Sequence, residues 1–335
     1  MNDLTDIAHR PDVRVDGPSD AFDWIRDGSA PSPAQVTAFL DHAARMLDHE
    51  ETVPAIWGTL FAGLRRMQIA NPSADWHAPV RQHRLAARIW EDPCTDWSRR
   101  TPRGYHGDAH LIDFIYDHPA IAPEVSAATP QGQAIYTMVI SSSASIAVQE
   151  RRRLLVRWLD ATAERVADAQ VLALASGHLR ELAFTRNARR LGRVVALDQD
   201  AVSIEEMRRS YTDLPTLFPV VASIGRIITR PLVYGQFDLA YAAGLFDYLD
   251  DRTAARLLHG MFSALKPGGR LLFANFCHDV VDYGYMDALM DWRLLARDEP
   301  EMRALVATLP AAEIANTFIF RGLNRAIVYA LVEKR

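Results

Sequence analysis

The sequence predicts an α/β protein, with a mostly parallel sheet that ends in an antiparallel hairpin and an α-helical domain ahead of it. Three observations carry this. From residue 31 to about 166, apolar residues recur at three- and four-residue steps, the period of a helix. After Val171 the texture changes to short apolar runs alternating with helical stretches, the pattern of a parallel sheet covered on both faces. At the change of texture stands DAQVLALASGHLRELAFTRNARRLGRVVALDQD, residues 168–200. There an apolar run over 171–175 meets Ser176-Gly177, helix-compatible sequence begins near Leu179, and a second apolar run over 194–197 ends on Asp198.

Residues 1–30 mix Pro, Gly, Asp and Ser without periodicity, which predicts a flexible tail. Val36, Phe39, Leu40, Ala43, Met46 and Leu47 then define a first helix behind the start signal Ser32-Pro33. A second helix carries Trp57, Leu60, Phe61 and Leu64, and a third runs over 80–90. The stretch EDPCTDWSRRTPRGYHGD, residues 91–108, is polar and punctuated by Pro and Gly, and it interrupts the helical pattern. Helix resumes through Leu111, Ile112, Ile115 and Tyr116, and again over 131–166. The expected division is a tail over 1–30, a helical lid or substrate domain over 31–150, and a sheet domain over 151–335.

In the second half the runs 171–175 and 194–197 are the first two strands. Residues 220–224 read as the third and FDLAYA, 237–242, as the fourth. A helix over 251–265 ends at Lys266-Pro267-Gly268-Gly269, a strong stop, and 270–276 is the fifth strand. A helix-rich insertion over 283–295 and a helix over 299–307 follow. Two last runs, 316–321 and 325–333, joined at Gly322-Leu323-Asn324, predict the hairpin. Strand, small-residue turn, helix, strand and acid is the opening unit of a nucleotide-binding α/β sheet. The 21 residues from Gly177 to Asp198 match the spacing at which such an acid meets a ribose.

Composition narrows the partners. A chain of 335 residues exceeds what one core comfortably organises, in keeping with two domains or with one domain and a large extension. A net charge of −5 argues against a nucleic-acid partner, which needs a cationic surface. The two cysteines, Cys94 and Cys277, lack metal-ligand spacing, so neither a disulfide framework nor a metal site is expected. No apolar stretch reaches the roughly 18 residues of a membrane helix, and the N-terminus lacks a signal peptide's apolar segment. A cytoplasmic protein with no membrane insertion is the expectation.

The order of these parts resembles the class I S-adenosylmethionine-dependent methyltransferases, from about Arg151 onward. The features that carry the likeness are the VLALASG turn, Asp198, FDLAYAAGLFDYL, LKPGG and the terminal strand pair. The family's first motif has an acid and then G-x-G-x-G; here those positions are Ala173, Ala175, Gly177 and Leu179, so one glycine of three remains. PRGYHGDA, AGLFDYLDD and DYGYMDALMDW are similar to a narrower bacterial group associated with methyl esters of 3-hydroxy fatty acids. The resemblance implies a Rossmann-like sheet, S-adenosyl-L-methionine as cofactor and S-adenosyl-L-homocysteine as product. It also implies a small-molecule acceptor; apart from the resemblance, a homodimer through the helical domain is one open arrangement.

Mapped onto this chain, the resemblance assigns the cofactor to Ala175, Ser176, Gly177, Asp198, Gln199, Ser223, Ala243, Gly244 and Leu245. Asp198 would accept from the ribose hydroxyls, and the turn 243–245 would offer backbone to the methionine part. Arg103 and Tyr105, in PRGYHGD, belong to a solvent loop or to one folded over a ligand. His178 reads as a turn-lining residue with a structural hydrogen bond, or as a base or acceptor contact. His278, at the end of the fifth strand, is the preferred catalytic contact beside Tyr105. Tyr283, Tyr285 and Trp292 read as acceptor-pocket wall or as ordinary helix packing. Arg151, Arg152 and Arg153 are a solvated helix face, unless one of them reaches an anionic group. A carboxylate acceptor needs no base, whereas a hydroxyl or amine would call on His278, His178 or Asp247. Two other classes fit the same parts: an enzyme that uses this cofactor for another reaction, such as cyclisation, and a non-catalytic binding protein.

Overall fold

Seven strands, most of them apolar enough to be buried on both faces, form one sheet in the order β3-β2-β1-β4-β5-β7-β6. They are β1 (Ala169–Leu174), β2 (Leu191–Asp198), β3 (Leu217–Val221), β4 (Phe237–Ala242), β5 (Leu265–Phe276), β6 (Ile314–Arg321) and β7 (Ile327–Lys334). The computed structural model describes residues 22–49, 52–71 and 76–335. Strands β1 to β5 run parallel, β7 returns antiparallel against β5, and β6 pairs antiparallel with β7. All six residues of β4 are buried, including Asp238, whose carboxylate accepts from Gln170 N and Lys266 Nζ. Leu172, Leu174, Val195, Leu197, Ala240 and Phe273 meet the helix Asp251–Ser263 in the core on one face of the sheet.

The chain leaves β1 for β2 and β3 on one side and returns to β4 on the other. The strand order therefore reverses between β1 and β4, and ligands of open α/β sheets bind at the carboxyl ends of such a pair. Leu174 lies level with Leu197 of β2 and Ala242 of β4, so Ala175, Asp198 and Ala243 emerge side by side at that edge.

The chain divides into two compact units. One holds the described residues of Met1–His106 with Ala120–Val139 and Val281–Trp292; the other holds Gly107–Pro119, Ile140–Val280 and Arg293–Arg335. Segments of the two units alternate along the chain. The helix Ser143–Arg165 runs straight through residue 150. Asp113, on the helix Ala109–Ile115, is tied by ion pairing to Arg180, which puts this early helix in the sheet unit.

Several expectations are corrected. The tail over 1–30 lies outside the described residues as far as 21, but Phe22 and Trp24 are buried, and Asp23–Asp27 is helical. The third helix breaks at His83, whose ring nitrogen accepts from Leu85 N and starts a new helix, Arg84–Ile89. Residues 93–100 of the polar stretch are helical, because Asp92 caps Cys94 and Thr95 N and Pro93 fits the first turn. The run 131–166 is two helices, Pro130–Ile140 and Ser143–Arg165, the second capped by Ser142. The third strand ends at Val221, not at 224.

No helix follows the turn after β1; two short 3-10 segments, Arg180–Phe184 and Ala188–Arg190, cross to β2 instead. Tertiary bonds pull this segment out of helical register. Arg180 reaches Asp113, Tyr241 Oη donates to Glu181 at 2.6 Å, and Asn187 N donates to Asp160 at 2.8 Å. The stop at Lys266-Pro267-Gly268-Gly269 does end a helix, at Ser263, although pairing with β4 already begins at Leu265 across an irregular step.

Candidate functional site

The turn after β1 has an alternating backbone. Ala175, Gly177 and Leu179 all adopt left-handed conformations, with φ of 46°, 55° and 54°. These are the positions where the resembled motif has its glycines, so the bend survives although two of the three carry side chains. Leu179 turns its side chain into the core, while Ala175 stays exposed. At Gly177 a Cβ would stand 3.2 Å from the Cβ of Ala109, so the positive φ and the close helix both favour glycine there.

Asp198 ties this turn to β2. Gly177 N donates to its Oδ2 at 2.8 Å and Asp200 N to its Oδ1 at 2.9 Å. Ser176 N and Oγ both donate to Leu197 O, at 3.1 and 3.2 Å. A carboxylate oxygen accepts about two hydrogen bonds, so each oxygen of Asp198 keeps one acceptor position. Burial raises the Asp198 carboxyl above its ordinary range, against the pull of the two backbone N–H groups. Gln199 beside it is exposed; Ser223, also exposed, lies two residues beyond β3, its carbonyl accepting from Arg226 N.

At the end of β4, Ala243, Gly244 and Leu245 are half-buried. Arg151, from the helix Ser143–Arg165, donates through Nη1 to Ala243 O at 2.8 Å. Its guanidinium packs on the Gly244 backbone, 3.1 Å from where a Cβ would stand. Arg151 is 5% exposed, and its Nε is buried without a hydrogen-bond partner among the described residues. Among the described residues no carboxylate lies within ion-pair distance of it, so it is a buried cation held by a carbonyl. Nearby Asp247 takes Phe276 N at 2.7 Å, and burial pushes its carboxyl up to about 6 despite the charges of Arg151 and Arg297.

A second buried polar group adjoins the turn. Asp113 accepts Arg180 Nε at 2.9 Å and Nη2 at 2.7 Å, and lies 2.8 Å from His178 Nδ1. Burial alone would raise the Asp113 carboxyl, but the hydrogen bonds from Arg180 and His178 and the charge of Arg180 prevail and hold it well below the carboxylate range. Arg180 also reaches Glu206 at 3.1 Å.

The other expected residues fall elsewhere. His278, two residues beyond the end of β5, has an imidazole that is 56% exposed and pairs with Glu301 at 2.7 Å. Beyond β5 the chain is drawn to the hairpin by Cys277 N donating to Ala326 O, which carries His278 to the surface. Tyr283, Tyr285 and Trp292 are buried in the helical unit. Tyr285 packs on Trp57 and Phe61 and shares a 2.7 Å hydrogen bond with Thr95, and Arg65 stacks over Tyr283. Arg103 and Tyr105 are half-buried on the loop after the helix Pro93–Arg100.

Asp113 was not among the expected residues, and Arg151 was expected either on a solvated helix face or reaching an anionic group. Both had a signal. Ala144, Ala147, Val148, Leu155 and Leu159 form the buried stripe of one helix, and Arg151 stands within it at the next helical step. Asp113 stands between the buried Leu111 and Phe114 and four residues after Ala109.

Residues 171–269 match the model of a family described as a methyltransferase domain. Over 91% of this chain and 99% of its own, a possible exported protein from Bordetella parapertussis is similar at 19% identity with a TM-score of 0.60. At that identity the likeness is one of fold. The N-methyltransferase NodS from Bradyrhizobium japonicum WM9, in complex with S-adenosyl-L-homocysteine, is 16% identical over 56% of this chain and 87% of its own, with a TM-score of 0.40. Magnesium protoporphyrin IX methyltransferase from Synechocystis PCC 6803 is 12% identical over 59% and 87%, with a TM-score of 0.45. No curated protein sequence matches.

Proposed function

We propose that this chain, whose residues 171–269 match the model of a methyltransferase domain, transfers a methyl group from S-adenosylmethionine to an oxygen of a small-molecule acceptor. One observation carries the reading. The left-handed turn 175–179 stands at the strand-order reversal, fastened to Asp198, which keeps an acceptor position on each carboxylate oxygen. A ribose offers two adjacent hydroxyl donors, the complement of that carboxylate.

The residues present fit the cofactor. Leu179 leaves the bend open by turning inward, so the loss of two glycines does not fill it. Arg151 brings a buried cation with an unpaired Nε to the end of β4, suited to the carboxylate of the methionine part. When bound, the cofactor supplies a methyl group on a positively charged sulfur that leaves as a neutral thioether. What the chain contributes is alignment. Asp198 would hold the sugar and Arg151 the amino-acid end, so that acceptor, methyl and sulfur stand in line with water excluded. Orientation of that kind is worth about 7–11 kcal/mol.

A carboxylate or hydroxyl oxygen on an apolar-tailed molecule is the acceptor class we favour. The net charge of −5 disfavours a nucleic-acid substrate, and the chain has no N/D-P-P-Y/F stretch of the kind that base amino-methyltransferases use. Both cysteines are buried free thiols, in keeping with a reducing cytoplasmic setting. No helix among the described residues is long and apolar enough to cross a membrane. Calorimetry with S-adenosylhomocysteine tests the cofactor, and transfer of a labelled methyl group from S-adenosylmethionine into a cell extract tests the reaction. Saturable binding with a methylated product is expected. Binding without any labelled product would point to another reaction, and no binding would end the proposal.

A further inference from the structure

The imidazole of His178 has one nitrogen occupied and one without a partner among the described residues. Asp113 is held ionised by Arg180 and can only accept, so the hydrogen in the 2.8 Å contact belongs to His178 Nδ1. A neutral imidazole protonated on Nδ1 carries a lone pair on Nε2. That Nε2 is buried, in a residue 5% exposed overall, and has no hydrogen-bond partner among the described residues. Arg180 does not compete for it: its Nη2 lies 3.3 Å from Nδ1, the wrong nitrogen, and is engaged by Asp113 and Glu206. A buried acceptor without a donor is costly, about 1–3 kcal/mol. Folds keep such groups chiefly where a ligand or an ordered water completes them. The residue before His178 is Gly177, whose N–H is fastened to Asp198, so the imidazole adjoins the turn assigned above to the cofactor.

We propose that His178 Nε2 accepts a hydrogen bond from an O–H or N–H group of the ligand bound at this turn, with Asp113 as the positioning residue that fixes its tautomer. The inference rests on the cofactor reading. The donor has two sources, the cofactor itself or a methyl acceptor that arrives bearing a hydrogen, such as a hydroxyl or an amine. An ionised carboxylate acceptor has no hydrogen to give.

The test uses the full chain, its His178→Phe and His178→Gln variants, and three readouts. Nitrogen-15 spectra of the imidazoles are expected to show His178 protonated at Nδ1 and bare at Nε2 in the free protein; protonation at Nε2 overturns the proposal. Calorimetry with S-adenosylhomocysteine reads the cofactor as source: His178→Phe should weaken binding by roughly tenfold, and His178→Gln, which keeps an acceptor oxygen, should recover part of it. Labelled-methyl transfer into a cell extract reads the acceptor as source: His178→Phe then loses transfer while binding the cofactor product normally. A well-folded His178→Phe with both quantities unchanged refutes this inference alone. Absence of S-adenosylhomocysteine binding by the unsubstituted protein refutes the cofactor reading and this inference with it. Should His178→Phe fail to fold, the spectra and His178→Gln decide.

Discussion

Replacing Asp198 with asparagine asks whether the carboxylate merely braces the turn or also grips a ligand. In the free protein it accepts Gly177 N at 2.8 Å and Asp200 N at 2.9 Å, one on each oxygen. Asparagine has a single oxygen, so one of these bonds becomes a donor facing a donor, and the other weakens as the charge goes. Hydrogen bonds to a charged group contribute about 1.5–3 kcal/mol each. Part of that loss is offset, because burial already disfavours the charge at this position. A net destabilisation of about 2 kcal/mol follows, a fall in Tm of a few degrees. Ligand binding should suffer more. One ribose hydroxyl loses its charged acceptor, and about 1.5–3 kcal/mol corresponds to roughly ten- to 150-fold in affinity for S-adenosylhomocysteine. The control is Asp200→Ala, which removes the side-chain cap on Val202 N of the helix Ala201–Ser210. It should lose about 1 kcal/mol of stability while keeping its affinity. Scanning calorimetry and titration calorimetry on the three proteins give both quantities. An Asp198→Asn protein that melts lower yet binds S-adenosylhomocysteine as the wild type does would show that the carboxylate only braces the turn.

Arg151→Met should weaken S-adenosylhomocysteine about tenfold and leave 5′-methylthioadenosine, which lacks the carboxylate, unchanged; equal losses for both would count against carboxylate recognition. Ala175→Gly relieves a left-handed alanine, worth about 1–2 kcal/mol, against about 0.4–1 kcal/mol of added chain entropy in the unfolded state. Urea unfolding should show the variant more stable by about half a kcal/mol, and clear destabilisation would contradict the strain argument. Asp247 has its folded pKa raised from 3.8 to about 6, so the native state holds its proton more tightly than the unfolded chain does. Its contribution is therefore fully present below pH 3.8 and is lost as the pH rises through about 6, on the order of 3 kcal/mol. Asp247→Asn keeps an oxygen for Phe276 N and removes that titration. The Tm difference between wild type and variant should shift by several degrees over this window, in favour of wild type at the acid end; a constant difference would show that Asp247 does not titrate there.

Much of the sheet was legible because its signals are local. β4 is a run of six buried residues bounded by Gln236 and Ala243, and the reading met it end to end. The hairpin of β6 and β7 was visible as two runs about Gly322-Leu323-Asn324, and Asp198 as an acid closing an apolar strand at the right distance from Gly177. The helix at 93–100 was legible too, in Asp92-Pro93, but the surrounding polar residues masked it.

What the sequence by itself determined is the order of strands and turns and the position of the acid, since period, turn chemistry and spacing are properties of neighbouring residues. The tertiary structure alone decided which side chains converge. It drew Arg151 inward to the Ala243 carbonyl, set Asp113 against His178 from 65 residues away, and sent His278 out to Glu301. It also replaced a helix after Leu179 with two 3-10 turns, because bonds to Asp113, Tyr241 and Asp160 outweigh local propensity over so short a crossing. Burial and hydrogen bonding between distant segments set these outcomes, and no window of neighbouring residues contains them.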